Sequence, residues 1–350
     1  MDNIKNIRWG VVLAFVYLNS AFLSFFLLLY SSVEVVLKDQ DLGYSFLLFL
    51  VVPPVFGFFL DYINSNKRIA LLRYYIKAIK VSFLMLVVFF LMYFLFPDLQ
   101  SIELSLVALV FLFLLINLFY VPVNSFLDFL APHSQLPYVL AIIASSTYSV
   151  FLYREDLSLF LLPKLGLWLF FILGILTVHG GYLFRKQIRK EKVDFSKCKL
   201  EKTAWNKIVW MALLLGLGHV SLIYIYPKFF LMYNEPHGVS KYDADLFGQI
   251  MFFGTVVLIL PFGMLVSKYG VQKFIKTNNT ILVLSVLSAV FFPKYFLYEA
   301  VISMISLSLA IVTNLPVAYT HLATRHRALG TGLFFGIVLT IVFVSRCLLK

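Results

Sequence analysis

The sequence predicts an all-α protein that crosses a membrane many times and folds as two related helical bundles. Three observations predict it. Apolar runs of about 20 residues, long enough to cross a hydrocarbon core of about 30 Å, recur along all 350 residues. Charged residues are only 13% against 61% hydrophobic, at a mean hydropathy of +0.93, whereas soluble domains carry about 25% charge. A short signature also occurs once in each half. The first copy is Gly57-Phe58-Phe59-Leu60-Asp61-Tyr62-Ile63-Asn64 followed by Lys67-Arg68, and the second is Gly263-Met264-Leu265-Val266-Ser267-Lys268-Tyr269-Gly270 followed by Lys273. In each, a small residue closes a helix, a polar residue follows one turn later, and a tight turn leads into basic residues. That is the pattern of a short hairpin between two membrane helices, and its duplication implies bundles that rock against each other, as in many secondary transporters. The apolar runs are continuous rather than alternating, so helices and not a membrane barrel are the spanning element.

Hydropathy places the spans near residues 9–31, 43–62, 74–96, 103–126, 137–153, 158–184, 207–231, 246–267, 278–295, 298–319 and 329–349. The first is a retained helix and not a cleaved signal peptide, because Lys5 and Arg8 precede a long apolar run without a small-residue cleavage site. Between the sixth and seventh spans lies the one long polar segment, with Arg185, Lys186, Arg189, Lys190, Lys192, Lys197, Lys199, Lys202 and Lys207. The expected division is a six-helix bundle over 1–184, a basic linker over 185–207 and a bundle of about five helices over 208–350.

With the N-terminus inside, most of the 29 Lys and Arg fall on inner segments, and only Lys38, Arg154, Lys164, Lys228, Lys241, Lys294, Arg346 and Lys350 fall outside. The expectation is a multi-pass protein of the bacterial inner (plasma) membrane with a cytoplasmic N-terminus. The net charge of +12 is then a topology signal set in a lipid bilayer, not a nucleic-acid footprint. Lys77 and Lys80 are expected to snorkel from the inner end of the third span rather than to act as buried functional charges. Phe is abundant at 38 and Tyr at 20, which reads as compositional bias before any aromatic ligand box. Cys198 in the linker and Cys347 in the last span form no disulfide framework.

The two hairpins resemble the loop signature of the major facilitator superfamily, found there between helices two and three and again between eight and nine. The first copy keeps Gly57, Asp61 and the pair Lys67-Arg68, with Tyr62 and Asn64 where Arg and Gly are usual. The second keeps Gly263, Lys268, Gly270 and Lys273, with Ser267 in place of Asp. Within that superfamily, Tyr226 to Lys273 and the segment Pro316 to Gly332, which contains Arg325 and Arg327, look most like the metabolite:proton symporters of the proline/betaine transporter type. Asp128, a few positions before Pro132, stands where that family carries an acidic residue, although Gln135 and Leu136 replace the basic residue that follows. The family has twelve helices and this chain offers about eleven, so an absent twelfth helix and an outer C-terminus are expected.

The resemblance implies a cytoplasmic gate built from Gly57, Asp61, Lys67, Arg68, Gly263, Lys268, Gly270, Lys273, Asp128 and Arg325. Asp61 near helix amides gains from the positive end of the dipole; the plainer reading is an ordinary helix cap. The resemblance also puts substrate near the midplane, against the first, fourth, seventh and tenth helices. Candidates there are Asn19, Ser20 and Ser24; Asn117 and Tyr120; His219, Ser221, Tyr224 and Tyr226; and Thr313 and Asn314, with Ser145, Ser146, Thr147 and Tyr148 added by the fifth span. Polar groups at that depth are costly unless paired, which makes them functional candidates. For a single Ser or Thr, a bond to its own helix is the plainer expectation. His219 stands apart because it sits mid-span next to Gly216 and Gly218, which are expected to leave space beside it. Its imidazole suits proton coupling; a neutral ring bonded across to another helix is the open alternative.

Zinc-type His and Glu spacing, a phosphate loop and a nucleophile with a partner are missing from the sequence, so neither an enzyme nor a resident metal or cofactor is expected. The leading expectation is a monomeric secondary transporter of a small polar solute (compatible solute, amino acid or carboxylate), driven by protons or another coupling ion. The alternative is a transport-incompetent remnant or membrane sensor of the same fold.

Overall fold

A computed structural model describes residues 7–36, 46–64, 130–132, 134–152, 163–190, 202–323 and 326–348, with scattered positions between 77 and 127. Among the described residues the structure is helical and contains no strand. The helices are α1 (Trp9–Val36), α2 (Phe46–Asn64), α3 (Leu136–Leu152), α4 (Pro163–Lys190), α5 (Trp205–Val220), α6 (Tyr226–Asn234), α7 (Lys241–Tyr269), α8 (Val271–Phe291), α9 (Phe296–Thr320) and α10 (Arg327–Leu348). Five described stretches are long and apolar enough to cross a membrane: Trp9–Leu28, Trp205–Asn234, Lys241–Tyr269, Val271–Phe291 and Pro293–Thr320.

Packing sorts the faces of these apolar helices. On α1, Val11, Phe15, Leu18, Phe22 and Phe25 recur at helical spacing and are buried. That stripe lies along α4, where a Cβ on Gly180 would stand 3.0 Å from the Leu18 Cα and the Phe15 and Phe184 rings meet edge-on at 5.8 Å. On α7 the opposite pattern appears. Ile250, Phe253, Val257, Leu260 and Met264 form one exposed apolar stripe, which is stable only where the surrounding solvent is lipid.

Local chemistry sets the irregularities. α5 passes through a π turn at Ser221–Ile225 before α6 begins. Pro227 lies in the first turn of α6; it has no N–H to give the preceding turn and its ring crowds the carbonyl one turn back, so the backbone widens there. α7 opens on a capping box in which Ser240 and Asp243 satisfy each other's backbone amides. It ends at Gly270, whose φ of 90° suits glycine, and α8 starts at the next residue. The helix therefore restarts at 271, well before the apolar run expected at 278, because Lys273 and Lys276 extend it into polar surroundings. α4 likewise continues to Lys190, beyond the expected linker start at 185. Arg189 and Lys190 occupy its last turn, where basic side chains favour the negative end of the dipole.

Both hairpin ends reach one face of the molecule. Tyr319, at the end of α9, donates to the Asn124 carbonyl at 2.6 Å, and the Arg8 amide donates to the Leu130 carbonyl at 3.3 Å. These contacts, with the short connection from α9 to α10, level the starts of α1, α3 and α10. The end of α2 meets the start of α10, and the end of α7 meets the start of α3, as the contacts below show. Lys77 and Lys80 are exposed.

Candidate functional site: two cross-chain latches and a buried histidine

At the end of α2, Asp61 is 9% exposed and faces the first turn of α10. One carboxylate oxygen accepts the Ala328 amide at 3.1 Å and the other accepts the Leu329 amide at 2.7 Å. The first amides of a helix have no partner within it and carry partial positive charge, so a carboxylate is a favoured cap. Arg327, buried in the same turn, adds a further attraction. The sequence pointed to Arg325 for that role; Arg325 lies outside the described residues.

The approach depends on glycine. A Cβ on Gly57 would run into the Ala328 carbonyl and the Leu329 backbone, and one on Gly332 would run into the Pro53 carbonyl. The two helices thus cross with each glycine against the other's backbone, the close packing that small residues permit in membranes.

The second hairpin repeats the arrangement. Ser267, four residues after Gly263, accepts the Tyr138 amide in the first turn of α3 at 3.0 Å. A Cβ on Gly263 would collide with the Ala141 Cβ and stand 3.1 Å from the Pro137 carbonyl. In each case a glycine lets one helix lie against another from the opposite half of the chain. The residue one turn later then caps that partner's N-terminus. The basic residues are peripheral: Lys268 and Lys273 are exposed, and the Lys268 ammonium lies 5.3 Å from the Tyr269 ring centroid. Lys67, Arg68 and Asp128 lie outside the described residues.

The connection before α10 is folded onto α5. The Ala204 amide donates to the His321 carbonyl at 3.1 Å, the Thr203 hydroxyl meets His326 Nδ1 at 3.1 Å, and the Trp205 and His326 rings lie 5.5 Å apart. Burial, and then the charge of Lys207, lowers His321 below the ordinary imidazole range.

Deeper in the molecule, α3 joins three helices. Asn19 donates to the Thr147 hydroxyl at 2.8 Å, and Ser20 bonds Ser146, which ties α1 to α3. Ser145 donates to the Val256 carbonyl on α7 at 2.9 Å. The Tyr148 hydroxyl meets His219 Nε2 at 2.6 Å, while His219 Nδ1 lies 2.7 Å from the Leu215 carbonyl on its own helix. A carbonyl only accepts, so Nδ1 carries a proton, and through Nε2 and the Tyr148 hydroxyl His219 is bonded across to another helix.

The space expected beside it is filled. A Cβ on Gly216 would lie 2.8 Å from Ile341, and one on Gly218 would lie 2.8 Å from Leu307. The glycines serve helix packing, because neighbouring side chains occupy the volume that a local reading leaves open. Several other hydroxyls follow the plainer expectation: Thr147, Ser221 and Thr313 each donate to a carbonyl of their own helix. Among the candidate residues described, Asn19 Oδ1 and Asn314 Nδ2 are buried amide atoms without a hydrogen bond. Tyr224 is half-buried just beyond His219. Asn117 and Tyr120 lie outside the described residues.

No family model and no curated protein matches the sequence. Solved structures do. A bacterial homologue of the iron transporter ferroportin, in an outward-facing state with soaked iron, aligns at a TM-score of 0.68 and 16% identity, covering 98% of this chain and 90% of that one. The E. coli fucose:proton symporter aligns at 0.64 and 14%, covering 96% and 90%. A major facilitator proton:xylose symporter aligns at 0.60 and 12%, covering 99% and 88%. The chain therefore has the major facilitator fold, all-α and polytopic.

Proposed function

We propose that this protein is a secondary active transporter of a small polar solute, coupled to protons and working by alternating access between bundles over 1–184 and 208–350. The pair of matching latches carries the reading. Each is a glycine crossing plus a capping side chain that joins helices from opposite halves of the sequence, and both lie on one face. Contacts of this kind can open together without unfolding either bundle, because each involves one helix end and one capping atom set. A change of about 1–3 kcal/mol is enough to redistribute two such states.

In this reading the latched face is cytoplasmic, the protein is a monomer of the bacterial inner membrane, and its kinship within the fold lies with the proline/betaine type of metabolite symporter. The solute site lies between the halves near Asn19, Tyr148, His219, Tyr224 and Asn314. His219 is the proton acceptor in this reading, because it is a buried ionisable side chain bonded across α3 and α5, which belong to opposite halves.

The test is uptake into proteoliposomes of labelled proline, glycine betaine and lactate, with and without an inward proton gradient. Accumulation of one of them that collapses with the gradient supports the reading. Substituting His219→Ala is then expected to abolish accumulation while leaving exchange intact, since exchange needs no net proton movement. Binding without any accumulation would instead favour a sensor of the same fold.

A further inference from the structure

The two faces of α4 meet different surroundings. Leu173, Thr177, Gly180, Phe184 and Ile188 recur at helical spacing and are buried. On the opposite face Trp168, Ile175 and Tyr182 are exposed, which is stable where the solvent is lipid. His179 shares that face, 3.4 Å from the Tyr17 hydroxyl. One turn after Tyr182 the same face turns basic: Lys186, Arg189 and Lys190 are all exposed.

Length fixes the depth of that basic end. From Trp168 to Lys186 the axis rises about 27 Å at 1.5 Å per residue, close to a hydrocarbon thickness of about 30 Å. Packing gives the same level. A Cβ on Gly10 would stand 2.9 Å from Gln187 Oε1, and one on Gly180 would stand 3.0 Å from the Leu18 Cα. α1 and α4 therefore run antiparallel, and Arg8 and Trp9, on the face that carries the latches, share a level with Arg189 and Lys190. Lys186 and Arg189 thus stand on a lipid-facing surface at the depth of the headgroup phosphates, where basic side chains attract anionic lipid. Onward through the linker, the basic residues from Arg185 to Lys202 outnumber Glu191, Asp194 and Glu201, so the local charge stays positive.

We propose that the end of α4 is a binding site for an anionic phospholipid, with Lys186 and Arg189 on the headgroup phosphate and the acyl chains along the apolar face beyond Tyr182. The Arg189 guanidinium offers paired donors to phosphate oxygens, and Lys186 supplies a point charge. A zwitterionic headgroup brings its own cation to the basic surface and loses the advantage. The bound lipid supports the α1–α4 pair at the latched end of the molecule. The site is separate from both latches and from His219, and it does not depend on which solute the protein carries.

The experiment adds phosphatidylglycerol or phosphatidylcholine, with matched acyl chains, to the full-length protein in a neutral detergent and counts bound lipid by native mass spectrometry. Phosphatidylglycerol is expected to bind several-fold more tightly. Lys186→Gln combined with Arg189→Gln is expected to weaken phosphatidylglycerol about tenfold and to leave phosphatidylcholine unchanged. Lys241→Gln combined with Lys294→Gln removes the same charge from exposed positions at the start of α7 and between α8 and α9, away from the latched face, and is expected to change neither lipid. On the unmutated protein, ammonium acetate at about 1 M, where charges are screened within about 3 Å, is expected to remove most of the preference. Equal affinity for the two lipids overturns the proposal, as does an unchanged phosphatidylglycerol affinity in the Lys186 and Arg189 variant. An equal loss in the Lys241 and Lys294 variant, or a preference untouched by salt, also overturns it. Displacement of phosphatidylglycerol by an equal concentration of inorganic phosphate would make this a site for the free anion and overturn the lipid assignment.

Discussion

At the end of α2, Asp61 accepts two amides of α10, at 2.7 and 3.1 Å. At the end of α7, Ser267 accepts one amide of α3, at 3.0 Å. Behind each stands a glycine four residues earlier whose missing Cβ allows the approach. The steric half of the device is therefore repeated, while the electrostatic half is not. A carboxylate at a helix N-terminus gains from the dipole and makes charge-assisted bonds, each stronger than a neutral hydroxyl's. The comparison teaches that closure of the shared face is weighted toward the α2–α10 side, with α3–α7 as the weaker hinge.

The largest expected effect is at Gly57. The obstacle to a Cβ there is backbone of α10, which no side-chain change can remove. Gly57→Ala is expected to destabilise the closed form by about 3 kcal/mol, read as a lower melting temperature in detergent, with no rescuing partner. Asp61→Asn comes next, at about 2 kcal/mol, because the amide loses the charge and turns an N–H toward one of the α10 amides. Gly263→Ala should cost about 1–2 kcal/mol, and this is where the two sides separate: its main obstacle is the Ala141 Cβ. A double-mutant cycle with Ala141→Gly should recover most of the loss. Ser267→Ala is the smallest, at about 1 kcal/mol, the usual scale of a lost helix cap. Conversely, Ser267→Asp should raise the melting temperature if charge alone distinguishes the sides, and an unchanged value would locate the difference in packing.

Much of this frame is legible in the sequence, for reasons that also mark its limits. The helices follow from apolar run length, and the hairpins from a glycine and a polar residue one turn apart, repeated. What each hairpin touches is not legible, since backbone amides such as those of Ala328, Leu329 and Tyr138 have no side-chain signature and lie far away in the chain. Arg327 lies beside Asp61 because the helix starts at 327, a boundary finer than hydropathy can place, and Arg325 lies outside the described residues. His219 stands out as an ionisable group in an apolar run, but its partner could not be chosen from Ser145-Ser146-Thr147-Tyr148 by composition, since all four are polar and helix rotation decides which faces α5. Gly216 and Gly218 mislead for a related reason: a glycine shows that something comes close, not what. Asn117, Tyr120 and Asp128 fall outside the described residues.

The most direct test of the central claim is a distance measurement across the α2–α10 latch. Spin labels at Tyr62→Cys and Asn206→Cys, both exposed in the structure, with Cys198 and Cys347 replaced by Ser, report the separation of the two halves at the latched face. Pulsed electron resonance on protein in nanodiscs should give a distribution dominated by the closed distance, and adding Asp61→Asn should shift weight to a longer one. Ser267→Ala should shift it less. An Asp61→Asn distribution identical to that of the unmutated latch would contradict the account, and would leave Asp61 as a helix cap with no part in holding the face shut.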